Sequence, residues 1–238
     1  MFPIFIRSLK DFFDKKILLI SIVPMLISAV VLGSILLIFS NNIHEFFIWI
    51  MSHIPFINGE LVAGITQGLF VILIFYELII ISSVLFVGIV TDSVVDRINA
   101  KHYNLEKRGF GTLLGSMAKA IKSNIIFIIL FIILIPTLFI PFLNILIHLL
   151  LWSILIKEPM FYDSLAFYAN KEEFEQIKQK NKFKIWFISF VSSALFLLPM
   201  IGVFLYVLQL IIFTHFNLQN LKHSRKLQSV AFTNQTNR

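Results

Sequence analysis

The stretch "LIPTLFIPFLN", residues 134–144, lies inside an apolar run yet carries Pro136, Pro141 and Asn144. No Asp, Glu, Lys or Arg occurs between Ser123 and Ile156. Such a stretch crosses a membrane once with a kink, crosses it twice, or enters and turns back. The two prolines divide the run into an ingoing arm, 125–140, and a return arm, 142–156. At 1.5 Å per residue each arm is about 24 Å or less, short of a hydrocarbon core of about 30 Å. The spacing therefore predicts a helical hairpin, 125–156, that penetrates partway. A pair of full spans joined by a minimal outer loop is the alternative.

The design recurs further on. An apolar arm, 185–198, reaches "PMIG" at 199–202 and continues to residue 216, predicting a second hairpin over 185–216. Setting Pro141 on Pro199 pairs Asn144 with Gly202 and His148 with Tyr206, the mark of a weak internal repeat. Two longer apolar blocks precede the hairpins. Residues 17–40 would make a helix of about 36 Å and residues 61–90 one of about 45 Å, each enough to span. Pro24 lies early in the first and can kink it. The fold expected is thus all-α and membrane-embedded: two full transmembrane helices plus two Pro-tipped re-entrant hairpins, or a six-span bundle.

Composition agrees. Of 238 residues, 58% are hydrophobic and only 14% charged, against 45–50% apolar in soluble domains. The mean hydropathy is +0.89. The net charge of +7 sits beside apolar runs, so it reads as a topology signal next to anionic lipid, and no nucleic-acid partner is expected. Lys and Arg fall in four groups, 7–16, 97–122, 157–184 and 222–238, and none lies in 41–60 or at the hairpin turns. The positive-inside rule then places all four groups and both termini in the cytoplasm. The N-terminal stretch has no apolar core with a small-residue cleavage site, so no signal peptide is read there.

Residues 1–222 read as one membrane domain. Residues 1–16 form an interfacial helix with Phe5, Leu9, Phe12 and Phe13 opposite Arg7, Lys10, Asp11 and Asp14. A cytosolic extension of the second span reaches 122, and "FGTLLGSMAKAIK" within it reads as a second interfacial helix. Residues 157–184 are a polar cytosolic connector whose Glu172, Glu173 and Glu175 read as solvated, and 223–238 a polar cytosolic tail.

No phosphate-cradling glycine loop, helical His-Glu zinc motif or nucleophile triad is present, so no enzyme activity, cofactor or metal is expected. With no Cys, thiol chemistry is excluded. The candidates for function are polar residues at membrane depth. Glu77, in "LIFYELIII", would be neutral, paired or on a water path, because an ionised carboxylate facing lipid costs several kcal/mol. It reads as a coupling or gating residue, or as a structural carboxyl bonded to Tyr76, Ser82 or a neighbouring helix. Asn144 and His148 share a face of the first return arm, and Gln209 and His215 lie in the second. They read as pathway lining or as hydrogen-bonding glue between hairpins. Each return arm opens at a proline, where a helix N-terminus deep in the bilayer favours an anion.

An aromatic amphipathic N-terminus, a first span with an early proline ("ISIVPMLI"), a long second span and the Pro-tipped "FIPFLN" and "LLPMIG" together resemble the CysZ family of bacterial sulfate permeases, over roughly residues 5–220. That family shares its domain with the etoposide-induced membrane proteins of eukaryotes. The resemblance implies two full spans with two half-penetrating hairpins, a homo-oligomer in the bacterial inner membrane, and sulfate uptake for cysteine biosynthesis. The family's basic pair before the first span is met here by Lys15 and Lys16, with no glycine beside them, and its Pro-Phe-Asn after the second span is replaced by Val90, Thr91 and Asp92. The reading is a small-anion permease or channel in which Lys15 and Lys16 gather the anion, Asn144, His148, Gly202 and Gln209 line its path, and Glu77 gates it. The alternative is a non-transporting scaffold that engages lipid or partners.

Overall fold

The computed structural model describes residues 2–38, 45, 72, 76–198 and 205–236. Most of the expected outer loop, the first part of the second span, and the "PMIG" turn with Pro199 and Gly202 lie outside the described residues. Among those described there is no strand. In lipid only helices satisfy every backbone group within one segment.

α1 (Phe2–Phe12) leads into α2 (Lys15–Ile38), which keeps Pro24 inside it. α3 (Tyr76–Phe86) and α4 (Gly88–His102) meet at a 61° bend. Gly88 follows that bend, and a Cβ there would stand 2.7 Å from Ser116 Oγ, so its bareness lets α4 approach α5.

α5 (Leu113–Leu134) starts twelve residues before the expected arm. The segment expected to lie flat, 113–122, is its first turns, started by Thr112, whose hydroxyl accepts from the Gly115 amide at 3.0 Å. Lys119 and Lys122 interrupt the apolar run but break no helix, so the backbone continues through them. A 3-10 turn (Ile135–Phe139) then leads into α6 (Pro141–Leu165). Pro141 is its first helical residue, where no amide donor is needed.

α7 (Lys171–Lys180) is the connector helix, α8 (Lys182–Ser193) the ingoing arm of the second hairpin, and α9 (Tyr206–Thr236) its return arm. α9 runs without a break from the apolar arm into the basic segment beyond it.

α6 is the centre of the molecule, packed against α5, α8, α9 and α4. More than half of its apolar window is buried (56%), against 28% for α5 and 29% for α2, which turn their apolar faces outward. The core is aromatic along α6: Trp152 meets Phe196 edge-on at 5.5 Å, and Phe196 stacks on Tyr206 at 6.0 Å. Lipid is as apolar as these side chains, so close packing and hydrogen bonds hold such a bundle rather than transfer out of water.

Two readings of the polar segments are corrected. Asp11, placed on the wet face of the first helix, is 2% exposed, while Phe2, Ile6, Leu9 and Phe13 are exposed. Glu173, read as solvated, is 4% exposed. It closes a capping box with Asn170 and receives the fork of Arg225, Nε to Oε1 at 2.7 Å and Nη2 to Oε2 at 3.0 Å. The same guanidinium donates to the carbonyls of Glu106 and Tyr168, clasping α7, α9 and the 104–112 loop together. In each case a long-range partner outweighs the local pattern.

Candidate functional site

α3 delivers Glu77 to the centre of the bundle and α6 brings two partners to it. His148 and Trp152 are four apart and share a helix face. Trp152 Nε1 donates to Glu77 Oε2 at 3.0 Å. His148 Nε2 stands 3.3 Å from Glu77 Oε1, both side chains being almost wholly buried. That distance suits charge attraction, but the two atoms are out of line for a hydrogen bond and neither has an aligned partner. The other imidazole nitrogen, Nδ1, lies 3.0 Å from the Asn144 carbonyl. A carbonyl only accepts, so Nδ1 carries a hydrogen. Two lone pairs facing each other across 3.3 Å would repel, so one of the two atoms carries a hydrogen. The pair is therefore imidazolium with carboxylate, or neutral imidazole with carboxylic acid; in both states its net charge is zero.

Beside the pair is a cavity of about 230 Å3 whose wall includes Tyr76, Asn144, His148, Trp152 and Phe196. Tyr76 donates its hydroxyl to the Phe196 carbonyl, tying α3 to the ingoing arm of the second hairpin. Trp152 stands edge-on to Tyr76 at 6.4 Å and to His148 at 5.3 Å. The cavity thus has apolar and aromatic walls with one imidazole, that of His148, and one amide residue, Asn144, set into them, while Glu77 lies behind His148 and Trp152.

The structure gathers three of the sequence candidates here: Glu77, His148 and Asn144. The partner of Glu77 is a neighbouring helix, as one reading had it, and Ser82 instead donates to the Ile79 carbonyl. Gln209 lies elsewhere. Its Nε2 donates to the Ser192 carbonyl at 2.9 Å, bonding the two arms of the second hairpin, and its Oε1 has no aligned partner. Gly202 lies outside the described residues. Lys15 and Lys16 are exposed at the first turn of α2, which packs chiefly on α4. The Lys16 amide is capped by Asp14 Oδ1 at 3.0 Å. Arg97 grips the same carboxylate through Nε and Nη2 at 3.1 and 2.9 Å, and holds it below the ordinary carboxylate range against the opposing effect of burial.

Sequence reasoning missed Trp152, which is an anonymous core aromatic until Glu77 is placed beside it. It also missed a cluster at the basic end of the bundle. Asp11 Oδ1 takes Lys101 Nζ at 2.6 Å, while Oδ2 lies 2.7 Å from His102 Nε2 and 2.8 Å from His215 Nε2. Burial would raise the Asp11 carboxyl, but Lys101 and the imidazoles hold it below its usual value. The Tyr103 hydroxyl lies 2.9 Å from His215 Nδ1. Asp11, His102 and His215 have metal-like spacing, within 4.8 Å, but the charge does not suit a dication. A single carboxylate would have to hold it beside Lys101 at contact. The cluster is a hydrogen-bonded anchor that ties α1 to α4 and α9.

The long apolar helices and the ionisable pair set among them define a multi-pass α-helical membrane protein. The chain matches the family described as "Sulfate transporter CysZ/Etoposide-induced protein 2.4" over residues 4–206, and it belongs to that family. No curated protein and no solved structure matches it.

Proposed function

We propose that this chain is an inner-membrane permease or channel of a bacterium, moving a small inorganic anion, with sulfate for cysteine biosynthesis as the foremost substrate. The family match over residues 4–206 carries this reading. The cavity beside Glu77 and His148 supports it. A bare carboxylate would repel an anion, whereas a pair of zero net charge removes that objection and leaves the Asn144 and His148 polar groups to line the path. Gly202 and Gln209 belong to the corresponding arm of the second hairpin, and Glu77 gates by moving its proton to or from His148. Lys15 and Lys16 gather the anion, where a dianion gains from two adjacent cations. The positive-inside rule favours both termini in the cytoplasm, and this reading takes the assembly as a homo-oligomer in contact with membrane lipid. No catalytic step is assigned.

Radiolabelled sulfate flux into proteoliposomes tests this, with phosphate as competitor and protein-free liposomes as blank. Saturable flux that phosphate does not suppress is expected. Absence of flux from folded, inserted protein would remove sulfate as the substrate, in favour of another solute or of a non-transporting scaffold.

A further inference from the structure

α1 carries Arg7 and Lys10 on the same side as Phe2 and Ile6, and the end of α4 faces them with Lys101 and His102. Between the two helices runs a groove of about 470 Å3. Its charge decides what it takes. The Asp11 carboxylate in its floor is already committed, one oxygen to Lys101 and the other to the two imidazoles. Arg7 and Lys10 are exposed, and among the described residues neither forms an ion pair. Three fixed cations thus stand against one carboxylate, so the groove attracts an anion and repels a metal ion.

Its apolar side decides which anion. Phe2 is 76% exposed and Ile6 44%, on a helix that ends three residues before the first residue of α2. A free oxyanion would use the cations alone and give those side chains no part in the site. A phospholipid uses both, its phosphate on the cations and its chain on the apolar wall. We propose that this groove binds the headgroup of an anionic phospholipid, with Arg7, Lys10 and Lys101 on the phosphate and Phe2 and Ile6 against the acyl chain. The site is separate from the cavity beside Glu77 and does not depend on which solute the protein moves.

Each basic residue near an anionic lipid surface is worth roughly fivefold in affinity, so three amount to about a hundredfold. The full chain, in neutral detergent, would be titrated with phosphatidylglycerol and with phosphatidylcholine, and binding read by native mass spectrometry. The protein is expected to prefer phosphatidylglycerol, and Arg7→Gln/Lys10→Gln/Lys101→Gln to weaken that lipid about a hundredfold. Arg7→Gln/Lys10→Gln keeps the Lys101–Asp11 bond and should still lose roughly 25-fold. Lys171→Gln/Lys180→Gln/Lys182→Gln removes equal charge from the connector and should leave the preference intact. Retention of the preference in both groove variants, or equal loss in the connector variant, would overturn the site. Displacement of the lipid by equimolar inorganic phosphate would overturn it too, in favour of a free-anion site.

Discussion

Glu77 and His148 face each other at 3.3 Å from two different helices, buried and without an aligned hydrogen bond, while Trp152 holds the other carboxylate oxygen. Removing one member leaves the other buried without its partner, and breaking a buried pair of this kind costs about 3–5 kcal/mol when it is ionised. His148→Leu should therefore lower stability in detergent by about 3 kcal/mol, and Glu77→Leu/His148→Leu should recover much of the loss. A double-mutant cycle on thermal unfolding reads the coupling; strictly additive losses would mean that the two side chains do not interact.

The Arg225–Glu173 clasp predicts a pH dependence. Burial raises the Glu173 carboxyl, but Arg225 and the Asn170 amide outweigh it and hold it below its ordinary value of 4.5. A depressed folded value means the carboxylate's contribution is complete above about pH 4.5 and is lost as pH falls through the lower folded value. Arg225→Met should lower the Tm at pH 7, with a loss of about 2 kcal/mol. The gap from the unsubstituted protein should narrow below pH 4.5. A gap that stays constant down to pH 3 would show that the clasp acts through packing alone.

Gly109 lies against backbone: a Cβ there would stand 2.1 Å from the Phe167 carbonyl carbon, whereas at Gly33 nothing lies within 4 Å. Gly109→Ala should cost about 3 kcal/mol or more by overpacking. Gly33→Ala should be neutral or gain up to about 1 kcal/mol from helix propensity. Yield and thermal stability of the two variants in one detergent decide the matter, and equal behaviour would refute the close approach.

α5 and α6 are long enough in total to span, at 22 and 25 residues. Their charge-free portions, between Lys122 and the turn and between Pro141 and Lys157, reach only about 18 Å and about 24 Å. The hairpin tip should then stay within the hydrocarbon. Because the chain has no Cys, Asn144→Cys is a single reporter, and it should resist a membrane-impermeant maleimide added from the side opposite the basic groups. Rapid labelling would mean full crossings.

Lys15→Gln/Lys16→Gln should weaken sulfate binding at least tenfold, since hydrogen bonds to charged groups contribute about 1.5–3 kcal/mol each. Folding and insertion should be unchanged because both side chains are exposed. Isothermal titration with sulfate would show it, and an unchanged Kd would take the pair out of the site.

Much of the fold was readable along the chain. Uninterrupted apolar length marks α2, and Pro141 marks the start of α6, because both are local facts: hydropathy needs no partner and proline restricts its own backbone. The start of α5 was misjudged because charge was taken as the boundary, although Lys119 and Lys122 are good helix formers and Thr112 is the real cap. In the site, Glu77 stood out as a carboxyl that needed a partner, and Asn144 and His148 as residues on one face. Trp152 carried no signal, since an aromatic in an apolar run is ordinarily core.

By itself the sequence determined that this is an all-α membrane protein, where its first hairpin turns, and which polar residues lie among its apolar segments. Those properties follow from transfer free energies and backbone restrictions that act residue by residue. Only the tertiary structure decided that Glu77 meets His148 and Trp152, that Asp11 turns inward to two histidines and Lys101, and that Glu173 is gripped by Arg225. Each is a choice of partner between segments distant in the chain. Hydropathy records the cost of burying a charge, but only the packed helices settle which group offsets it.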